Sequence, residues 1–122
     1  MQIKSITPTS VKRTFNLNQA SEILPLVFHI TENAHKTVKD LVNKLQSIKT
    51  SNLTIASEIE DKISSETAKW EHKMKRLGLV PKGMWLVDFD NGSGYYCWKF
   101  PENEIRFWHQ YQDGFSGRVE IQ

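Results

Sequence analysis

Cysteine is almost missing from this sequence of 122 residues, in which Cys97 is the single one. One thiol cannot form an internal disulfide or a metal site built from several cysteines, which suits a reducing compartment. Long apolar runs are also missing, and the run around Pro25 is confined to residues 23–28. A membrane helix needs about 20 apolar residues and a signal peptide a core of about 7–15, so neither is expected. The sequence predicts a soluble, cytoplasmic protein.

Neither sign of charge is in excess, because 16 Lys and Arg oppose 14 Asp and Glu and leave a net charge of +2. This balance gives no electrostatic footprint for a nucleic acid, so a nucleic-acid partner is not expected. The hydrophobic fraction of 39% is sufficient for a folded core. A chain of this length forms one domain. We expect a flexible segment over residues 1–14 and a single α+β domain over residues 15–122.

Apolar residues spaced by three and four predict two helices in the first part of the chain. Asn16 and Gln19 fit the N-cap and the capping-box partner of the first helix, which Pro25 is expected to bend. The second helix is expected to end at Gly78, which can adopt a left-handed C′ conformation. A polar turn joins the two helices. Residues 16–78 are therefore predicted to form an antiparallel helical hairpin of the coiled-coil type.

Beyond the helices the apolar period falls to two, which is typical of strands with one buried face. Three strands are predicted, and one face of each consists of Trp85, Val87 and Phe89, then Tyr96, Trp98 and Phe100, then Ile105, Phe107 and His109. Cys97 alternates with the aromatics of the second strand and points to the opposite face. The strands and a C-terminal loop occupy residues 83–122. The predicted fold class is α+β, a long antiparallel helical hairpin packed on a small three-stranded antiparallel β-meander.

Several blocks of the sequence carry a family resemblance. They are Phe15-x-Leu17-x-x-Ala20 with Leu24-Pro25-Leu26, Leu86-Val87-Asp88-Phe89, Tyr96-x-Trp98 around Cys97, Glu104-Ile105-x-Phe107-Trp108-His109, and Asp113-Gly114-Phe115-x-Gly117-Arg118. On these blocks the chain, from Phe15 to its end, resembles the bacterial and archaeal family called domain of unknown function 2203. It departs from the family pattern where Trp85 and Pro101 replace glycines and Asp90 replaces a proline. The resemblance implies no established activity.

A small-ligand site is predicted where the third strand meets the C-terminal loop. Its candidate residues are Trp98, Trp108, His109, Asp113 and Arg118. The Arg118 guanidinium offers a planar fork for a carboxylate or phosphate, and tryptophan supplies a rigid apolar wall. In a structural alternative, Arg118 pairs with Asp113 or Asp88 and holds the C-terminal tail on the sheet. Catalysis with His109 as general acid or base is a further alternative, and no catalytic residues are assigned.

No metal or cofactor is expected from the sequence pattern. His29 and His35 are six residues apart on a helix and do not share a face, and no paired-cysteine motif occurs. The glycines of residues 92–94 lie in a hairpin and do not lead from a strand into a helix, so they do not predict a phosphate loop. Cys97 is expected to be an inert, structural thiol.

Three functions follow as hypotheses. The first is a non-catalytic interaction module that forms a homodimer or binds another protein, because apolar residues near the projecting end of the hairpin need cover. These residues are Leu45, Ile48, Ile55 and Ile59. The second is a binding protein or enzyme for a small anion at the predicted ligand site. The third is RNA binding through Tyr95, Lys99, Arg106 and Trp108, against which the net negative charge of the sheet segment argues.

Overall fold

The computed structural model describes residues 13–48 and 50–122. Two helices come first and an antiparallel sheet follows, so the predicted α+β class is confirmed. The elements are α1 (Leu17–Ile48), α2 (Leu53–Arg76), β1 (Val80–Gly83), β2 (Leu86–Asp90), β3 (Tyr95–Lys99), β4 (Phe107–His109), a 3-10 helix (Phe115–Gly117) and β5 (Val119–Glu120). Among the described residues, no helix combines the length and apolarity needed to cross a membrane. The flexible segment expected at residues 1–14 lies outside the described residues, apart from its last two positions.

α1 begins with the capping box that the sequence predicts. The Asn16 side chain accepts a hydrogen bond from the Gln19 backbone N–H at 2.8 Å, and the Gln19 side chain accepts one from the Asn16 N–H at 2.9 Å. These bonds satisfy N–H groups that the start of a helix leaves without partners. The helix continues through Pro25, which lies on its exposed side.

Local chemistry also defines the ends of α2. The Asn52 side chain caps its start by accepting a hydrogen bond from the Ile55 N–H at 3.0 Å. Just beyond its end Gly78 has a φ of 88°, the left-handed C′ conformation that the sequence predicts. The two helices are joined inside the hairpin, where the buried Trp70 indole donates to the Thr31 hydroxyl at 2.8 Å.

The far end of the hairpin lies beyond the hydrophobic core, which reaches Val42 on α1 and Ile63 on α2. Leu53 is 76% exposed there and Ile55 is 44% exposed. Of the residues predicted in an apolar patch, Ile59 is buried, Leu45 and Ile48 are half-buried, and Ile55 is exposed. The exposed patch is therefore smaller than predicted and consists of Leu53 and Ile55.

Within residues 13–48 and 50–122 the sheet has five antiparallel strands in the order β1-β2-β3-β4-β5, so the prediction of three strands is wrong. β1 contains Pro81 and Gly83, which are typical of turns, but an edge strand tolerates a proline. β5 has two residues, too few for an alternating pattern, and pairs with β4 through Trp108 and Val119. The sheet is a meander with one more strand at each edge than the sequence pattern indicates.

The register of β2, β3 and β4 assigns their side chains to two faces. Val87 lies opposite Trp98, and both belong to the core beneath the helices. Asp88 lies opposite Cys97, and Cys97 lies opposite Phe107, on the other face. We call this second face the outer face of the sheet. The prediction that Cys97 points away from the core aromatics is confirmed.

Ile105, Phe107 and His109 do not share a face, which corrects the prediction for the third strand. β4 begins only at Phe107, and Ile105 is buried in the core while His109 lies on the outer face. The irregular backbone between Ile105 and Phe107 interrupts the alternation. Tyr95 is on the outer face opposite His109, whereas Trp108 is on the helix side. The residues of the RNA hypothesis therefore do not form one surface.

Aromatic rings fill the space between the hairpin and the sheet. Phe15 meets Phe89 edge to face with 5.3 Å between ring centroids, and Trp70 meets Trp85 at 5.0 Å. Trp85 is not part of β2, as the alternation predicted, but occupies the β1–β2 turn with a φ of 65°. This core fixes the inner face of the sheet and leaves the outer face turned away from the helices.

Candidate metal centre

The residues predicted as a ligand site are divided between the two faces of the sheet. Trp98 is fully buried on the helix side, where its indole donates to a backbone carbonyl of the β3–β4 connection at 2.6 Å. Trp108 is also on the helix side. His109 and Asp113 line one cavity at the outer face, and Arg118 stacks on an outer-face ring. The structure thus brings His109, Asp113 and Arg118 to one side without the two tryptophans.

Arg118 is held by groups of the same chain. Its two terminal nitrogens donate to the two carboxylate oxygens of Glu102 at 3.1 and 2.7 Å. The guanidinium carbon lies 4.0 Å from the Phe107 ring centroid and 4.2 Å from that of Phe115. Burial disfavours the charged guanidinium and lowers the pKa of Arg118. The hydrogen bonds to Glu102 and its negative charge outweigh this effect, so the pKa of Arg118 is raised. Arg118 fastens the C-terminal segment to the β3–β4 connection through Glu102, not through Asp113 or Asp88.

Three chemically reactive side chains meet on the outer face. Asp88 of β2, Cys97 of β3 and His109 of β4 come from adjacent strands, and their ligand atoms lie within 4.8 Å of one another. Their residues are 1%, 1% and 3% exposed. Because buried ionisable groups are rare unless they are paired or hold a metal, this cluster is the main candidate for a functional site.

The hydrogen bonds of the His109 ring show which of its two nitrogens carries a proton. Nδ1 lies 2.8 Å from the Gln110 carbonyl oxygen, which can only accept, so Nδ1 carries a proton. Nε2 lies 3.2 Å from each carboxylate oxygen of Asp88. In the neutral ring, the Nε2 lone pair would therefore face the carboxylate oxygens. That arrangement requires a proton or another cation between the two groups.

The negative charge of the buried Asp88 carboxylate disfavours ionisation of the neighbouring Cys97 thiol. Burial raises the pKa of the Asp88 carboxyl, and the neighbouring His109 counteracts part of this rise. Burial, followed by the charge of Asp88, raises the pKa of the Cys97 thiol to about 12, and the neighbouring Arg118 guanidinium opposes part of this rise. A carboxylate and a thiolate side by side in a buried site are stable together only when a cation neutralises them.

The cluster opens onto a cavity of about 220 Å³. The other lining residues are Lys82, Leu86, Asp113, Gly114 and Phe115. Lys82 comes from the edge strand β1, and its amino group lies 5.2 Å from the centroid of the Tyr95 ring. The cavity therefore lies between the outer face of the sheet and the C-terminal loop, with the three reactive side chains in its wall.

The donor set favours cation binding over covalent catalysis. Nitrogen, sulfur and oxygen donors together are typical of zinc and neighbouring transition metals. A catalytic cysteine needs a lowered pKa and a base directed at its sulfur. Here the thiol pKa is raised, and Nε2 of His109 is directed at Asp88. Covalent catalysis by Cys97 therefore has no support from this geometry.

Sequence-based prediction missed Asp88 and Cys97 as functional residues. The sequence predicts His109, but with Asp113 and Arg118, further along the chain, as its partners. The predicted hairpin of the first two strands contains the signal for these two residues. Pairing the strands around the turn at residues 90–94 places Asp88 opposite Cys97. The two residues would then have been expected to share the outer face.

Comparison with known proteins identifies the family of the chain. No match is found among curated proteins or among solved structures. The sequence profile described as Uncharacterized conserved protein (DUF2203) matches residues 13–121, which is almost the whole chain. The match confirms the resemblance that the sequence blocks indicated, and the chain belongs to the DUF2203 family.

Proposed function

We propose that this protein binds one divalent transition-metal ion, preferably zinc, through Asp88, Cys97 and His109. The observation that supports this most is the position of His109 Nε2, 3.2 Å from both Asp88 oxygens while Nδ1 contacts the Gln110 carbonyl. A histidine that binds a metal through one ring nitrogen typically donates its other N–H to a carbonyl or carboxylate. The hydrogen bond to Gln110 is therefore the second-shell contact that such a ligand requires.

The separation between His109 and Asp88 fits shared coordination of one ion as well as the hydrogen bond that the two side chains form without it. A charge-assisted N–H···O bond is about 2.7–2.9 Å long and is directed at one oxygen. Two donor atoms that lie about 2.05 Å from a tetrahedral zinc ion are roughly 3.3 Å apart. The 3.2 Å between Nε2 and either oxygen of Asp88 is close to that value.

Cys97 completes the set after a small adjustment. In tetrahedral zinc sites a sulfur and a nitrogen ligand lie roughly 3.5 Å apart, whereas the ligand atoms here lie within 4.8 Å of one another. A side-chain movement of about 1 Å would close this difference. Metal binding would release the thiol proton and neutralise the repulsion between Asp88 and Cys97.

Three protein donors leave a tetrahedral ion with an open position, as in catalytic zinc sites. The cavity of about 220 Å³ next to the donors has room for water or a small ligand at that position. Structural zinc sites are instead closed by four protein donors. We therefore infer an open site, which is suited to binding a small ligand or to activating a water molecule.

Metal titration of the chelator-treated protein tests the proposal. We expect one equivalent of zinc per chain by isothermal titration calorimetry and elemental analysis. Cobalt(II) is expected to produce a sulfur-to-metal charge-transfer band that Cys97→Ser abolishes. Cys97→Ser and His109→Ala are each expected to weaken zinc binding by more than the roughly 10–100-fold of an outer-shell change.

The matched control is His29→Ala, which removes an exposed histidine of α1 and is expected to leave zinc binding unchanged. Circular dichroism of each variant verifies that it is folded. The proposal is wrong if the wild type binds no more zinc than the Cys97→Ser/His109→Ala double variant, or if the cobalt spectrum lacks a sulfur band.

Self-association through the end of the hairpin is a second proposal, supported by the exposure of Leu53 and Ile55. Burying such side chains between two copies would remove apolar area from water. Light scattering at high micromolar concentration is expected to give the mass of a homodimer, and the Leu53→Ser/Ile55→Ser variant that of a monomer. A monomeric wild type would contradict this proposal.

Other expectations from the sequence remain predictions. They are binding of a small anion on the side of His109, Asp113 and Arg118, RNA binding, a protein partner and a cytoplasmic location. Within the described parts of the chain, Arg118 already has Glu102 as a bidentate partner, so an anion would compete with that ion pair.

A further inference from the structure

A second cavity, of about 440 Å³, lies on the helix side of the sheet and is separate from the metal centre. It is formed by the first half of α1 and the connection between β3 and β4. The lining residues are Ser21, Leu24, Pro25, Phe28, Asn103, Glu104 and Ile105. Its volume is within the range of about 300–1,000 Å³ that is usual for small-molecule sites, and its lining is mainly apolar.

Pro25 changes the chemistry of one wall of this cavity. In a regular helix the N–H of residue 25 would donate to the carbonyl of Ser21. Proline has no N–H, and its ring crowds that carbonyl. The Ser21 carbonyl therefore lacks its ordinary helical donor, and both Ser21 and Pro25 line the cavity. A ligand that donates a hydrogen bond can supply the missing partner.

Glu104 adds negative charge at the rim. Its carboxylate is 3.9 Å from Arg106 Nε, while the same guanidinium donates to Glu120 at the shorter distance of 3.3 Å. The Glu104 side chain is 64% exposed. Among the described residues Glu104 is thus only loosely paired, and a cation in the cavity would compete with Arg106 for its carboxylate.

We propose that this cavity binds a small organic amine with an aromatic or branched aliphatic body. The body would pack against Leu24, Phe28 and Ile105. The ammonium group would donate to the Glu104 carboxylate and the Ser21 carbonyl, and it can also approach the face of the Phe28 ring.

Glu104, the charged residue of the lining, disfavours ligands of other charge, and Arg106 at 3.9 Å offsets part of its effect. A carboxylate of the same shape would be repelled by Glu104 and would leave the Ser21 carbonyl without a donor. A neutral hydrocarbon would fill the apolar part of the cavity, but it would displace water from the Ser21 carbonyl and the Glu104 carboxylate. It could not replace the hydrogen bonds that the water donates, which is unfavourable. Charge complementarity therefore identifies a cationic occupant.

An NMR titration with 2-phenylethylammonium tests the proposal, with 3-phenylpropionate as a probe of similar shape and opposite charge. Saturable shifts at Leu24, Phe28 and Ile105 are expected with the amine at submillimolar to millimolar concentration. The acid is expected to bind at least tenfold more weakly at the same ionic strength. Absence of saturable shifts with the amine, or equal binding of the acid, would overturn the proposal.

Two variants separate binding from folding. Glu104→Gln is expected to weaken amine binding at least fivefold, and Glu22→Gln, an exposed carboxylate of α1 that does not line the cavity, is the control. Pro25→Ala restores the N–H that pairs with Ser21, so amine binding is expected to fall while the melting temperature stays equal or rises. If Glu104→Gln binds the amine as tightly as the wild type does, the assignment of the cation site is wrong.

Discussion

Trp85 occupies a backbone conformation that favours glycine. Its φ of 65° lies in the left-handed region, which costs a residue with a Cβ about 1–2 kcal/mol. Its buried ring packs on Trp70, and loss of such a ring costs about 3–5 kcal/mol. We predict that Trp85→Gly and Trp85→Ala are both destabilised, but that the glycine variant is more stable than the alanine variant by about 1 kcal/mol. Urea unfolding measures the difference, and an alanine variant of equal or greater stability would disagree with this conformation.

Gly94 keeps β3 and β4 close enough for the proposed metal centre to form. A Cβ added at Gly94 would lie 2.6 Å from the His109 carbonyl oxygen, so the backbone of the neighbouring strand would have to move. We predict that Gly94→Ala lowers the free energy of unfolding by about 1–3 kcal/mol. Because the movement displaces His109, zinc affinity is expected to fall at least tenfold in calorimetric titration. Gly83→Ala is the control, since a Cβ there would lie 3.9 Å from its neighbour Leu86 Cδ2, an ordinary van der Waals contact. Unchanged zinc affinity in folded Gly94→Ala would show that the strand spacing does not control the site.

At the scale of elements, the Arg118–Glu102 pair attaches the short strand β5 to the rest of the sheet. β5 has two residues, and the Ile121 N–H donates to the Arg106 carbonyl at 2.8 Å just beyond it. The Arg118 and Glu102 side chains are 16% and 23% exposed, so water screens their bidentate contact only in part. We predict that Arg118→Met increases amide hydrogen exchange over residues 118–121 by about tenfold, because hydrogen bonds to charged groups contribute about 1.5–3 kcal/mol. Exchange in α2 is expected to stay unchanged.

A matched ion pair provides the control for that experiment. Lys69 and Glu66 are also in contact, at 3.2 Å, but their side chains are 65% and 31% exposed on α2. Such surface pairs contribute little, so Lys69→Met is expected to leave exchange unaltered. If Arg118→Met also leaves residues 118–121 protected, the backbone ladder alone holds β5.

The helices could be predicted from the sequence because their signals are local. Asn16 with Gln19, and Gly78, each act within a few residues, and the structure confirms both. β1 and β5 could not be predicted, since a strand that contains Pro81 or has two residues is stabilised by its neighbour and not by its own pattern. The element type was therefore predictable where hydrogen bonds close within a turn, and not where they depend on another strand.

At the scale of the whole molecule, the candidate site depends on contacts between residues that are distant in sequence. Asp88, Cys97 and His109 are separated by nine and twelve positions, and no spacing motif joins them. The register of three strands brings them together, and the interruption after Ile105 moves His109 to the outer face. A metal-site search by sequence motif detects ligands on one element or one loop. It could not detect a site assembled across a sheet.

The same register couples the proposed metal centre to the helices. The strands that carry the three donors also carry Val87, Phe89 and Trp98 on their inner face, in one hydrophobic core with Trp70 and Val27 of the hairpin. A ligand that binds only the folded chain stabilises every element that unfolds together with its site. Zinc at 100 times its dissociation constant would contribute about 2.7 kcal/mol. For a domain of this size, that corresponds to a rise in melting temperature of roughly 10 °C.

We predict that this rise is the same for the helical circular dichroism signal and for tryptophan fluorescence, because hairpin and sheet share one core. Cys97→Ser is expected to abolish the zinc-dependent rise in both signals, whereas His29→Ala retains it. If zinc shifted the fluorescence transition alone, the hairpin would unfold independently of the sheet, and the core around Trp70 and Trp98 would not be the cooperative unit. If zinc shifted neither transition although titration showed tight binding, the unfolded chain would have to bind the ion with similar affinity, contrary to a site assembled by strand register.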